Sequence, residues 1–212
     1  MFAMKTLIAI TTCTNNEERR VAVSATWMQL VPDSVDAAFL TGRDYGVSQF
    51  GDGLTHLDCP DTYRELPQKT LAIVRYAVDH DYELLIKVDD DTFLMPRPDY
   101  IAEFAKHDYF GCVGQRGYCQ GGCYSLSHKA MHAVLKHADL FTTGLEDATV
   151  GRALHAEGIS PTHTDRIKVS HARGFPRLNN DIISAHYCSP ATLRNIFRNC
   201  DSKKTHFKYF EV

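Results

Sequence analysis

The chain of 212 residues sets 23 lysines and arginines against 26 aspartates and glutamates, a formal net charge of −3. That length suits one good core, or two small lobes sharing one, and the near balance of charge gives no electrostatic footing for nucleic acid as a partner. No apolar run reaches the roughly 18 residues of a membrane span, and the seven cysteines are odd in number and form no CxxC pair.

The opening segment KTLIAITTC (5–13) is rich in β-branched residues and lacks a helical period, so it predicts a buried first strand. It carries no convincing small-residue cleavage site, which argues against a signal peptide. Reduced thiols and a cytoplasmic location follow as expectations. EERRVAVSATWMQL (17–30) predicts a helix with Asn15 and Asn16 as cap candidates and Pro32 past its end. Trp27 reads as a core anchor on that helix. VDAAFLT (35–41) and THLDC (55–59) predict two more strands. Pro67 opens a helix whose Leu71, Val74 and Val78 form one stripe, with Ile73 and Ala77 beside it. YELLIKV (82–88) predicts a central strand.

After Pro98 the pattern loosens. YFGCVGQ (109–115) and YCQGGCYSL (118–126) predict strands, and SHKAMHAVLKHA (127–138) a helix with Met131, Val134 and Leu135 inward. LEDATVGRALHAEG (145–158) predicts a helix ending at Gly158, DIISAHY (181–187) a late strand, and SPATLRNIFRNC (189–200) a closing helix. Alternation of this kind predicts an α/β fold with a mostly parallel sheet and helices on both faces, with an α/β first half over about 1–96 and a more mixed second half over about 97–212 around one sheet.

In such sheets ligands sit at the carboxyl ends of the strands, and there LLIKVDDDTFLMP (84–96) runs from apolar residues into Asp89, Asp90 and Asp91. Three adjacent carboxylates repel one another unless a positive charge sits among them. Alternation along a strand sends Asp89 and Asp91 to one side and Asp90 to the other. Two carboxylates at a ligand edge suit a hard cation such as Mg²⁺ or Mn²⁺, of use where a departing diphosphate needs its charge neutralised. An acidic surface turn closed by Pro96 is the plainer alternative. Glu146 and Asp147 stand at a helix start, either as dipole-matched first-turn residues or with one of them as a general base. Gly121 and Gly122 allow a close approach by a ligand or another backbone, or mark a bulge. Tyr118 and Tyr124 could stack on a sugar or pack in the core. Cys119 and Cys123 could bridge or bind metal, though their spacing is weak support.

The ordered set ERRVAVSATW, YRELPQKT, LLIKVDDDTF, YCQGGCYSLS, EDATVG and AHYCSPATLRNIF resembles the family 31 glycosyltransferases, the β-1,3-galactosyl- and N-acetylglucosaminyltransferases and their Fringe relatives. Its compactness resembles the glycosyltransferase domains that large chlorella viruses encode for glycans on their capsid proteins. The resemblance implies a GT-A fold with a nucleotide-binding first half, a UDP-sugar donor, a glycan or glycoprotein acceptor, Mn²⁺ (or Mg²⁺) dependence and inversion at the anomeric carbon. It implies Asp91 as metal ligand, Asp89 at the metal, ribose and diphosphate, and His186 completing the metal shell with His171 as its rival. Asp147 falls at the catalytic base. Thr11, Thr12, Arg19, Arg20, Lys69 and Asp90 fall in the nucleotide-sugar site, and Gly121, Gly122, Tyr124 and Glu146 in the acceptor and sugar pocket. Two other readings stand beside it. One is a nucleotidyltransferase, although TTCTNNEERR lacks the glycine-rich loop such an enzyme uses after its first strand; the other is a nucleotide-sugar-binding module without catalysis.

Overall fold

The structure is a computed structural model that describes residues 4–43, 53–169 and 181–201. The elements follow one another as Thr6–Thr11 (β1), Glu17–Ser24 (α1), Val35–Arg43 (β2), Thr55–Pro60 (β3), Leu66–Asp79 (α2), Leu84–Asp89 (β4), Phe93–Leu94 (β5), Pro98–Phe104 (α3), Tyr109–Val113 (β6), Cys119–Ser127 (β7), His128–Lys136 (α4), Glu146–Ala156 (α5), Thr162–His163 (β8), Ile167–Lys168 (β9), Ser184–Ala185 (β10) and Pro190–Asp201 (α6). Seven strands form the main sheet in the order β3-β2-β1-β4-β7-β6-β8. The β3, β2, β1 and β4 strands are parallel, and β7 enters antiparallel to both β4 and β6. A second small sheet has the order β5-β10-β9.

Side chains alternate across each strand, so β1 and β4 feed two cores. Leu7, Ala9 and Leu85 face a layer made by α2, α4 and α5. Ile8, Ile10, Ile86 and Val88 face the opposite layer, with Ala22 and Val23 of α1 and Leu193 and Ile196 of α6. Each buried leucine, isoleucine or valine among them is worth about 1.5–3 kcal/mol relative to exposure. Helices therefore cover both faces of a mostly parallel sheet, as the alternating pattern predicts.

The differences have local causes. The helix expected over 17–30 stops at Ser24, because Thr26 turns its hydroxyl back to the carbonyls of Ala22 and Val23. The chain re-forms as a 3₁₀ turn at Trp27–Leu30, which drops Trp27 into the core, where its Nε1 donates to the Thr92 carbonyl at 3.0 Å. In α2, Leu71, Ile73, Val74 and Ala77 are buried while Val78 is half-buried. The strand expected over 181–187 shrinks to Ser184–Ala185, since Tyr187 takes a left-handed backbone with φ 61°. The α3 helix, opened by Pro98 at its first turn, was not legible in the loosened pattern.

Residues Gln120 to Gly122 form a bulge. Gly111 pairs with Tyr124 and Val113 with Cys119, so β7 spends more residues than β6 over that stretch. The bulge also turns Cys119 and Cys123 to opposite cores, so the alternative of a bridge or metal pair is not realised and both are free thiols. Burial pushes both thiols up to about 12. Among the described residues no helix is long and apolar enough to cross a membrane.

Candidate active site

The parallel register sets Thr11 beside Asp89, so the ends of β1 and β4 open at the same edge. Beyond them the three aspartates separate as strand alternation requires. Asp90 turns toward α1, is 3 % exposed, and accepts from Thr12 Oγ1 at 2.7 Å, Asn16 Nδ2 at 2.8 Å and Arg19 at 2.9 Å. Asp89 and Asp91 turn the other way and meet His186. The imidazole Nε2 lies 3.0 Å from Asp91 Oδ1 and 3.6 Å from Asp89 Oδ2. One donor atom from each of the three lies within 4.8 Å of the other two. Burial works against the Asp91 carboxylate, yet His186 and Arg19 hold its pKa below the usual range.

Two backbone features bring His186 there. The small sheet carries Ser184–Ala185 alongside β5, and the His186 N–H donates to the Lys168 carbonyl at 2.9 Å. The ring then lies against Gly122, where an added Cβ would stand 2.3 Å from Nδ1. Only a glycine leaves room for that imidazole. Tyr187 stacks on it at 3.8 Å and remains 44 % exposed over the site. His171 lies outside the described residues.

Beneath Asp89 lies Lys87, fully buried. Its ammonium donates to Asp89 Oδ1 at 2.5 Å and to the Gly121 carbonyl at 2.6 Å, with Glu146 Oε2 at 3.8 Å. Burial opposes the charge, but the carboxylates of Asp89 and Glu146 outweigh it and raise the Lys87 pKa. Glu146 is 4 % exposed, accepts from the Tyr124 hydroxyl, and is raised by its own burial. Next to it Asp147 begins α5, with Oδ1 accepting the Ala148 N–H at 2.8 Å. A Cβ on Gly121 would lie 3.8 Å from the Asp147 Cβ, so the bulge borders Asp147 through Gly121 and His186 through Gly122.

Several expected contacts are differently employed. Tyr124 is fully buried and engaged with Glu146, so it has no face for a sugar, and Glu146 is itself buried against Tyr124 and Lys87. Asp90 is buried, with its carboxylate accepting from Thr12, Asn16 and Arg19. Thr12 is likewise buried and Arg20 clamps the carbonyls of Cys13 and Thr14. Lys69, 3 % exposed, donates to the Thr12 carbonyl at 2.8 Å and pairs with Asp61. These residues shape the loop after β1. Thr11 is buried with its hydroxyl unpartnered among the described residues.

Sequence reasoning missed Asp61, Lys87 and Tyr187. Asp61 gathers the Thr14 N–H, the Thr41 hydroxyl and the Gly42 N–H as well as Lys69. The one available signal for Lys87 was a lysine inside an otherwise apolar strand, which requires a buried partner.

Two carboxylates supply hard oxygen donors and the imidazole a borderline nitrogen, a set that fits a divalent cation such as Mn²⁺ or Mg²⁺. A parallel sheet opening on such a cluster, with an acid at the start of a neighbouring helix, is the arrangement of a GT-A fold. Solved structures similar to this chain agree in fold. A glycosyltransferase involved in glycosylation of the major capsid of PBCV-1 matches with a TM-score of 0.59 and 13 % identity, over 92 % of this chain and 99 % of that one. The galactosyltransferase LgtC in complex with donor and acceptor sugar analogues matches with a TM-score of 0.52 and 12 % identity, over 92 % and 95 %. The galactosyltransferase family model matches residues 18–108 of the chain. No curated protein matches it significantly.

Proposed function

We propose that the chain is an inverting enzyme that moves a hexose from a UDP-sugar to a hydroxyl of a glycan or glycoprotein acceptor. One observation carries this reading: Asp89, Asp91 and His186 converge at the carboxyl edge of the sheet, with Asp147 across the Gly121–Gly122 bulge. Asp89, Asp91 and His186 would hold Mn²⁺ or Mg²⁺. That ion supplies charge neutralisation for the diphosphate.

The protein's own groups account for the rest. Lys87 takes one oxygen of Asp89 and so fixes how its carboxylate is presented. Arg19, half-buried between Asp90 and Asp91, adds positive charge at the same edge. Asp147 accepts the acceptor hydroxyl's proton as that oxygen attacks the anomeric carbon. The bond from the anomeric carbon to the phosphate oxygen breaks, and its electron pair leaves with UDP. A double displacement would need a second carboxylate on the sugar's other face. Glu146, the nearest in sequence, is buried against Tyr124 and Lys87, which favours single displacement with inversion.

Calorimetric titration of UDP and a panel of UDP-sugars, with Mn²⁺ and with chelator, tests the reading. Binding that requires metal and disappears in Asp91→Ala is expected. Asp147→Asn should bind UDP normally while transfer falls by at least a hundredfold, about the least a positioned general base contributes. If no uridine nucleotide binds in the presence of metal, the donor assignment is wrong. A binding module without catalysis would leave Asp147→Asn indistinguishable from the parent.

A further inference from the structure

Along α5, lined by Leu145 and Ala148 on either side of Glu146 and Asp147 in the chain, the structure holds a cleft of about 850 Å³. One wall is α5. Ala148, Gly151, Arg152 and His155 recur along it at helical spacing, so they share the face that begins beside Asp147. The other wall is the β6–β7 turn with Arg116 and Tyr118. Gly151 sets the walls together, since a Cβ there would stand 2.5 Å from the Tyr118 Cβ.

The charge in this cleft is one-sided. Arg116, Arg152 and His155 line it, and no aspartate or glutamate does. Arg152 donates to Thr149 Oγ1 at 3.1 Å, and among the described residues neither guanidinium pairs with a carboxylate. In a chain with more acids than bases, two arginines from separate elements facing one hollow without counter-charges are placed to receive an anion. Guanidinium forks match carboxylate and phosphate oxygens two at a time.

We propose that this cleft seats an acceptor glycan bearing an anionic group, a uronate carboxylate or a sugar phosphate, held by Arg116 and Arg152 with its hydroxyl directed at Asp147. The proposal rests on Asp147 being the catalytic base, and its test separates the two ideas. Binding of methyl glucoside, methyl glucuronoside and glucose 6-phosphate is measured by calorimetry on the parent chain and on the double variant Arg116→Ala/Arg152→Ala. Metal-dependent UDP binding and Tm are followed on the same samples. The anionic sugars should bind at least tenfold more tightly than the neutral one, and the double variant should lose that preference while UDP binding and Tm stay unchanged. The stronger of the two anions tells carboxylate from phosphate. Equal binding of neutral and anionic sugars, or a preference that survives in the double variant, overturns the proposal. Should UDP fail to bind the parent chain, the donor reading falls, and the sugar comparison still decides what the cleft prefers.

Discussion

At the residue scale, the site depends on which polar side chains are already committed to protein partners. Gly122 shows how narrow the margin is: its missing Cβ is the space His186 occupies, with Nδ1 2.3 Å from where that carbon would stand. Gly122→Ala must therefore push the imidazole off Asp91. Loss of one ligand's orientation commonly costs 10–100-fold in metal affinity. Mn²⁺-dependent UDP affinity should fall by about that factor in calorimetry, with any binding in chelator unaltered. Asp61 gives a pH-dependent case. Burial favours its neutral form, but the Lys69 ammonium, the Thr14 N–H and the Thr41 hydroxyl win and hold its carboxyl below the usual range. A depressed carboxyl contributes stability that is full above its unfolded pKa, about 3.9, and is lost as pH falls through the lower folded value. Asp61→Asn leaves Lys69 charged and buried, a loss of about 3–5 kcal/mol at neutral pH. In denaturant melts across pH 7 to 2.5, the gap between parent and variant should narrow only below about pH 4. A constant gap would mean that the pair's charge is not what stabilises the loop. The sequence displayed all these residues, yet only the three-aspartate run declared itself. The partners of Asp90 lie more than 70 positions away in the chain, so nothing local shows that its carboxylate is engaged.

At the element scale, the strands and long helices were legible because burial imposes a pattern. β1 and β4 fall where their continuous apolar, β-branched runs put them, and α2 where the 3.6-residue stripe does. What escaped were elements set by other elements. The two-residue strands β5 and β9 exist through pairing with β10, itself the remnant of the strand expected over 181–187, and no two-residue segment carries a period. The Gln120–Gly122 bulge is visible as a pair of glycines but not as a register shift, which only the facing β6 strand defines. Helix ends lie between these extremes. Ser127, inside the predicted α4, is its cap, and its hydroxyl oxygen accepts the Ala130 N–H at 3.2 Å while its proton goes to Asp108. Replacing such a cap by alanine costs about 1 kcal/mol. Ser127→Ala should lower the unfolding free energy by about that amount in urea titration. It should leave UDP binding untouched, because α4 packs on the face of the sheet away from α1 and His186.

At the scale of the whole molecule, the candidate metal ligands come from different structural units. Asp89 ends the central strand of the seven-stranded sheet, whereas His186 follows β10 of the small sheet. The Cys188 N–H donating to the Asp91 carbonyl at 2.7 Å is among the links between the two segments. The family motifs appear in the sequence in the right order, but not the fact that the last of them folds back onto the third. Residues nearly a hundred positions apart meet only because the small sheet returns the chain to the end of β4. An ion bound by all three residues would cross-link these units and belong to the folded state alone. Ligand at about a hundred times its Kd adds about 2.7 kcal/mol to stability, and for a chain of this size each kcal/mol moves Tm by roughly 2–4 °C. Thermal melts with saturating Mn²⁺ and UDP should therefore rise by about 5–10 °C, and EDTA should reverse the rise. His186→Ala keeps both carboxylates but cuts the link between the sheets, so most of the shift should vanish in that variant even where weak Mn²⁺ binding remains. A full shift in His186→Ala would place the stabilising contact within the main sheet alone, and the small sheet would then owe its position to the β5 pairing instead.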